Sequence, residues 1–255
     1  MPHTALKITN GFCLAACLAA CLTLAAPAFA QAQTVAADRS APRLRFIKAF
    51  VIDERLSALR KADDLQSPVL KRLRVGRAVY VMSKNSASVF YHVAVTRRTR
   101  GWIHQGAIAL PGRAGEDARL MQVIEATTDG LDRIALCRLL LEQFSRSPLV
   151  PLALLRIGEE AERAAASLGQ HARRRLKSLD EQKSGADVEA FYLNDPGLDR
   201  YSRLGISFRF DTSQSGYSYD GRAYRDLLRR FPRSAEAEAA RRHLESLAAH
   251  PAGDK

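Results

Sequence analysis

The strongest candidate nucleophile in this chain is Cys137. A cysteine hydrolase needs a nearby histidine to activate its thiol. The residues on either side, Ile134-Ala135-Leu136 and Leu139-Leu140-Leu141, are apolar, and such surroundings raise the pKa of a thiol and leave it unreactive. We therefore predict a buried, structural Cys137. The alternative is an unrecognised envelope hydrolase centred on Cys137 or His104.

The other polar candidates lack the partners that their chemistry requires. His92 and His104 could meet in a small sheet, but no cysteine or carboxylate lies at ligand spacing with them. Asp63-Asp64 has no evident acid–base partner, and no glycine-rich phosphate loop follows a strand. The sequence therefore predicts no catalytic residue, no metal and no cofactor, and we expect a protein that is not an enzyme.

Residues suited to binding are more evident. Tyr80 and Trp102 could form an aromatic groove for an extended peptide. Arg97, Arg98 and Arg100 crowd one predicted hairpin and could attract acidic wall or lipid groups. Each set has a structural alternative, a core position for the rings and a solvated turn for the arginines. These five residues are the predicted ligand-binding residues.

The elements that carry these residues have the pattern of short strands. From Leu44 to Leu110 apolar residues recur with a period close to two, which is typical of β-strands. No helix-length crossover separates the strands, so we predict antiparallel pairing in a compact barrel or sandwich. Tyr91 is expected to face its core. The strand-like runs are Phe46–Ile52, Ser57–Arg60, Pro68–Leu73, Ala78–Met82, Val89–Val95 and Trp102-Ile103.

One set of residues in this segment follows the order and spacing of a known domain family: Ala58-Leu59-Arg60, Pro68-Val69-Leu70, Leu73, Gly76, Val79, Val81 and Gly101-Trp102-Ile103. On these residues the segment resembles a bacterial Src-homology-3-like (SH3-like) domain, of the wall-associated kind found in exported proteins. The chain departs from that pattern in an additional strand, Phe46–Ile52, and in an Asp-containing loop, Lys61–Ser67. The resemblance implies a small β-barrel over residues 44–112 that binds a peptide or wall fragment.

Beyond Pro111-Gly112 the apolar spacing becomes helical. One pattern occurs twice, 87 residues apart. The first copy comprises Cys137, Leu140, Leu141 and Phe144, then Val150, Ala153 and Ile157. The second copy comprises Tyr224, Leu227, Leu228 and Phe231, then Ala237, Ala240 and Leu244. This duplicated unit resembles part of a tetratricopeptide repeat, although its spacing is not a multiple of that repeat's length. The resemblance implies a helical-hairpin domain over residues 113–250 whose concave side holds a protein partner.

Between the two copies the sequence predicts three further features. A basic helix is expected from Gly158 to Asp180, with acidic residues at its start and basic residues at its end. Asn194-Asp195-Pro196-Gly197 predicts a turn. Alternating aromatic residues near 205–220 predict a β-hairpin insertion, which we expect to fold back on the helices because isolated hairpins are marginally stable.

The first 30 residues have the features of a secretory signal peptide. An uncharged run, Ile8–Ala26, is followed by small residues before a cleavage position at Ala30. A flexible lead-in (31–43) would follow, and residues 251–255 form a tail. The alternative is a lipobox at Cys17 or Cys21, and only that lipidation would attach the protein to a membrane. We predict an exported, periplasmic or cell-envelope-associated protein.

The formal net charge of +12 has two interpretations: a solvated arginine-rich surface, or attraction to an acidic neighbour such as lipid headgroups, wall polymers or an acidic protein. An exported protein does not meet chromosomal DNA, so we expect no nucleic acid among its partners. The sequence thus predicts an α+β protein of two domains with a non-catalytic binding or scaffolding role. Its expected partners are an envelope protein or a peptidoglycan peptide, with an acidic surface as a further possibility.

Overall fold

The computed structural model describes residues 46–84, 87–180, 188–211 and 216–249. Within these ranges the chain has a mixed α+β fold, in which a seven-stranded antiparallel sheet is followed by helices and one small β-hairpin. The predicted α+β class is confirmed. The predicted signal peptide (1–30), lead-in (31–43) and tail (251–255) lie outside the described residues.

The sheet has the strand order β3-β2-β6-β5-β4-β1-β7. Its end strands, β3 and β7, are not paired with each other, so the described strands do not close into a ring. Single turns of 3-10 helix lie at Glu54–Leu56 and Gln105–Ala107. The strands are β1 (Ile47–Val51), β2 (Ala58–Arg60), β3 (Val69–Arg72), β4 (Ala78–Lys84), β5 (Phe90–Ala94), β6 (Arg100–His104) and β7 (Ile108–Ala109).

Apolar side chains of alternate strand positions form a core on the inner face of the sheet. Val79, Val93 and Ile103 are completely buried there. Tyr91 is buried in the same cluster, as predicted, and its hydroxyl accepts a hydrogen bond from Nη1 of Arg113 at 3.1 Å. Since successive strand residues point to opposite faces, the polar residues between these positions lie on the outer face.

The helices begin directly after the sheet. The change from strand to helix falls between β7 and α1, close to the predicted position at Pro111. The helices are α1 (Glu116–Ala126), α2 (Gly130–Gln143), α3 (Val150–Asp180), α4 (Val188–Leu193), α5 (Pro196–Ser202), α6 (Arg222–Arg230) and α7 (Ala237–Ala249), with the hairpin β8 (Phe208–Asp211) and β9 (Gly216–Tyr219) between α5 and α6.

The duplicated sequence pattern forms two helical hairpins that end and restart in the same way. Phe144 and Phe231 each follow the last residue of the first helix, and each donates its N–H to the carbonyl four residues earlier. Ser147 donates its N–H to the Phe144 carbonyl at 2.8 Å, and Ser234 does so to Phe231 at 3.1 Å. The repeated residues therefore specify a repeated turn geometry.

One predicted boundary in the helical half is wrong, and the predicted turn is shorter than expected. The basic helix does not begin at Gly158, because α3 runs unbroken from Val150. Gly158 lies against the ring of Tyr224, where a Cβ atom would come within 2.3 Å, so this glycine permits a close helix contact. The Asn194–Gly197 segment separates two short helices: Asp195 caps the N-terminus of α5, and Pro196 is its first residue.

The insertion folds onto the helices, as expected. Tyr219 of β9 is buried in the helical core, and its hydroxyl accepts a hydrogen bond from the Ala223 N–H at 2.7 Å. The hydroxyl of Tyr217 donates to the Tyr192 carbonyl at 2.6 Å. The hairpin is thereby tied to α4 and α6.

Within the described residues, the sheet and the helices belong to one compact unit. Phe50 and Ala109 of the sheet lie in the same apolar cluster as residues of α1, α2 and α3. At the junction, Glu116 accepts a hydrogen bond from the Leu110 N–H at 3.1 Å, and Arg119 donates to the Gly106 carbonyl at 3.2 Å. These contacts hold the sheet against α1.

Candidate functional site

Positive charge is concentrated in the part of the chain that forms the sheet. Residues 44–112 contain 13 lysine and arginine residues against 4 aspartate and glutamate residues, whereas residues 113–250 contain 22 against 21. The seven strands contain no acidic residue at all and six basic residues. The sheet is therefore the region that would attract an anionic ligand.

The outer face of the sheet brings several of these cations together with aromatic rings. Strand register aligns Lys48, Tyr80, Ala94 and Arg100 in one row across β1, β4, β5 and β6. The neighbouring row aligns Ser83, His92, Trp102 and Arg60 across β4, β5, β6 and β2. We name this surface the basic face and define it by Lys48, Arg60, Tyr80, His92, Arg100 and Trp102.

The aromatic rings of the basic face are accessible from solvent. The Tyr80 side chain is exposed, and Trp102 and His92 are half-buried. The His92 and Trp102 rings stack with their centroids 4.9 Å apart and their planes 25° from parallel. Flat, partly exposed rings of this kind can pack against the apolar parts of a ligand while leaving their polar atoms free for hydrogen bonds.

A glycine explains how Arg60 comes to lie beside Trp102. A Cβ atom at Gly101 would lie 2.6 Å from the Arg60 carbonyl oxygen and 2.9 Å from the Leu59 side chain. Gly101 therefore lets β2 approach β6 closely. The Arg60 guanidinium is also held in place, because its Nη1 donates to the Ser67 carbonyl at 2.8 Å.

Arg97 and Arg98 lie in the turn that joins β5 to β6. The Thr96 Oγ1 accepts hydrogen bonds from the N–H groups of Arg98 at 3.3 Å and Thr99 at 3.0 Å. Both arginines are exposed. The turn continues the two strands that carry Ala94 and Arg100, so it extends positive charge beyond one end of the basic face.

The cations of the basic face and of the adjoining turn have no carboxylate partner among the residues that the structure describes. Across the described ranges, no carboxylate forms an ion pair with Lys48, Arg97, Arg98 or Arg100. Exposed and unpaired cations retain their full charge toward an incoming anion. The arrangement can therefore bind an acidic ligand non-covalently, with the rings adding apolar contact.

The structure brings three of the five predicted site residues onto one surface. Tyr80, Arg100 and Trp102 share the basic face, whereas Arg97 and Arg98 lie at the adjoining turn. Sequence reasoning missed three members: Lys48, Arg60 and His92. The alternation of Phe90, His92 and Ala94 against the apolar Tyr91 and Val93 was the available signal for His92. Lys48 and Arg60 depend on strand order, which local patterns do not reveal.

The candidate nucleophile has surroundings unsuited to catalysis. Cys137 is completely buried, and its burial raises the pKa of the thiol to about 12. His104 lies on β6, where its Nδ1 accepts a hydrogen bond from the Gly106 N–H at 3.1 Å and its ring meets Phe90 edge-on. His104 thus has a local structural role in capping the turn at Gln105–Ala107.

Two further observations bear on the class of site. Among the residues described by the structure, no group of three or more His, Cys, Asp or Glu side chains is arranged to hold a metal ion. In the same part of the chain, no helix combines the length and apolar character needed to cross a bilayer.

Comparison with known protein families, with curated proteins and with solved structures returns no match for this chain.

Proposed function

We propose that this protein is an exported, non-catalytic binding or scaffolding protein of the bacterial cell envelope. In this proposal the sheet is an SH3-like domain that holds an acidic peptide or wall fragment on the basic face. The observation that carries it is the combination of unpaired cations with accessible rings on strands that contain no acidic residue. Wall peptides and wall polymers are rich in carboxylate groups, which supplies the complementary charge.

The helical half is proposed to bind a protein partner as a tetratricopeptide-like hairpin array. The two hairpins with matching turn geometry support this role. A cavity of about 360 Å³ lies between α2, α3 and α6, with Leu154 and Ile157 among its apolar walls and Arg138 and Arg222 among its charged ones. A volume in this range is enough for one or two side chains of a partner.

A non-catalytic role is proposed because the groups with catalytic potential are used structurally. The Cys137 thiol is buried with a raised pKa, and the reactive form of a cysteine is the thiolate. The proposal predicts no wall hydrolysis by the purified protein. Hydrolysis that is lost on substituting Cys137→Ala would contradict it.

The binding role is tested by co-sedimentation of the protein with purified peptidoglycan sacculi. We expect the triple variant Arg97→Ala, Arg98→Ala, Arg100→Ala to bind about tenfold more weakly, and Trp102→Ala to bind several-fold more weakly. The matched control is Arg174→Ala, Arg233→Ala, Arg242→Ala, which removes the same charge from exposed positions of α3, the turn after α6, and α7. Equal loss in both triple variants would show non-specific charge attraction and contradict the proposed site.

A further inference from the structure

The edge strand β3 has an accessible backbone. β3 is the last strand in the sheet order and pairs only with β2 among the described strands. All four of its residues are exposed, with Val69 at 45% and Leu70 at 52%. An open strand edge of this kind can accept a further strand through main-chain hydrogen bonds.

The register identifies backbone groups that point away from the sheet. Leu73 donates its N–H to the Ser57 carbonyl at 3.2 Å, so the N–H of Leu73 points toward β2. Arg72 lies opposite Ala58, the next pair along. Because hydrogen-bonded and non-bonded pairs alternate in an antiparallel ladder, the N–H and C=O of Arg72 face the open edge.

The charges on β3 determine which strand it can accept. Lys71 lies opposite Leu59 on the inner side, and Arg72 lies opposite Ala58 on the outer side. Both are exposed, and neither has an ion pair among the described residues. A second copy of this chain would bring another sheet without acidic residues against these cations, and like charges across a strand pair are destabilising. An acidic segment would be attracted.

We propose that β3 is a docking edge for an extended acidic segment of a partner protein, which adds to the sheet as an antiparallel strand. Two adjacent acidic residues opposite Arg72 and Lys71 place one carboxylate on each side of the sheet, since side chains alternate. The residues that follow lie beside Val69 and Leu70 and are apolar. This edge does not depend on the proposed ligand of the basic face.

The test uses the full chain and an acetylated, amidated ten-residue peptide with Asp-Glu-Val-Ile at its centre. Binding is measured by calorimetry, and circular dichroism checks the fold of each variant. We expect Lys71→Glu, Arg72→Glu to bind the peptide about tenfold more weakly. Arg174→Glu, Arg233→Glu makes the same change of charge on the helical half, and we expect it to bind within twofold of the parent. Absence of peptide binding to the parent chain at millimolar concentration, or equal weakening in both double variants, would overturn the proposal.

Two comparisons isolate main-chain pairing from charge attraction. Arg72→Pro removes the outward N–H together with the charge, whereas Arg72→Ala removes only the charge, so we expect the proline variant to bind at least threefold more weakly than the alanine variant. Equal affinities for these two variants would overturn strand addition. Trp102→Ala shows which surface holds the peptide, because the basic face could also take an acidic peptide. If Trp102→Ala abolishes binding while Lys71→Glu, Arg72→Glu does not, the peptide occupies the basic face, and only the edge proposal fails.

Discussion

The arginines of the helical half and the cations of the sheet have different surroundings. On the helices, arginines pair with carboxylates: Arg133 with Glu160, Arg156 with Glu125 and Glu159 at 2.8 Å. In the sheet region the one ion pair within the described residues joins Arg55 to Asp53 in the turn after β1. The paired arginines of the helical half thus serve internal structure, whereas the cations on the strands of the sheet have no carboxylate partner among the described residues and are available to a ligand. We therefore expect ligand binding to depend on the unpaired cations of the sheet.

The largest effect on stability is expected from the buried ion pair of the helical half. Glu160 is 5% exposed and is paired with Arg133 and with Arg163, the latter at 2.8 Å. Glu160→Ala leaves the largely buried Arg133 guanidinium without its carboxylate, and we expect a loss of about 3 kcal/mol in the free energy of unfolding. Urea denaturation measures it. Glu238→Ala, which breaks an exposed pair with Arg241, is the control and should cost about 0.5 kcal/mol or less.

Close packing in the helical half gives the next effect. Ala at position 158 would place its Cβ within 2.3 Å of the Tyr224 ring, so we expect Gly158→Ala to lower the free energy of unfolding by about 2 kcal/mol. Gly169 lies in the same helix, and a Cβ atom there would lie 3.4 Å from the Gly216 Cα, which is an ordinary contact. Gly169→Ala should be neutral or stabilising by up to about 1 kcal/mol. A greater loss in Gly169→Ala than in Gly158→Ala would contradict this account of the α3–α6 contact.

Alkaline pH should weaken the helical core through its buried thiol. Burial raises the pKa of Cys137 from 9.0 to about 12. The unfolded chain therefore releases the thiol proton at a lower pH than the folded chain. The resulting stability is complete below pH 9 and is lost as pH rises from 9 toward 12, with a loss of about 1 kcal/mol at pH 10. Denaturation between pH 8 and pH 10 should show a shallower decline in Cys137→Ala than in the parent, and identical declines would contradict a buried thiol.

The smallest effect on stability is expected where the effect on binding is greatest. Arg97, Arg98 and Arg100 are exposed and have no ion pair among the described residues. Their combined replacement by alanine should change the free energy of unfolding by about 0.5 kcal/mol or less, although we expect it to weaken binding to sacculi. Urea denaturation of this variant tests the point. A loss above about 2 kcal/mol would mean that these arginines are structural, and the contrast between the two halves would fail.

Local patterns predicted the strands and the repeated hairpins well. The alternation around Tyr91 placed it in the core, and the two Phe-containing motifs marked the ends of α2 and α6. These features depend on residues within one or two turns of each other. The same holds for the predicted hairpin, whose strands β8 and β9 are close in the chain.

The features that were missed depend on contacts between distant segments. The sequence around Gly158 does not indicate that α3 continues through this residue. A glycine is needed there because the Tyr224 ring, 66 residues later in the chain, packs against it. Arg60 joins the basic face because β2 lies between β3 and β6 in the sheet. Strand order of this kind cannot be derived from a single sequence by periodicity alone.

The basic face is tested most directly by the fluorescence of Trp102, the only tryptophan in the chain. We propose titration with soluble peptidoglycan fragments, with the affinity measured independently by calorimetry. The account predicts a saturable change in tryptophan emission whose midpoint agrees with the calorimetric affinity and weakens as salt is added. Calorimetric binding without any change in tryptophan emission would contradict a ligand site on this face.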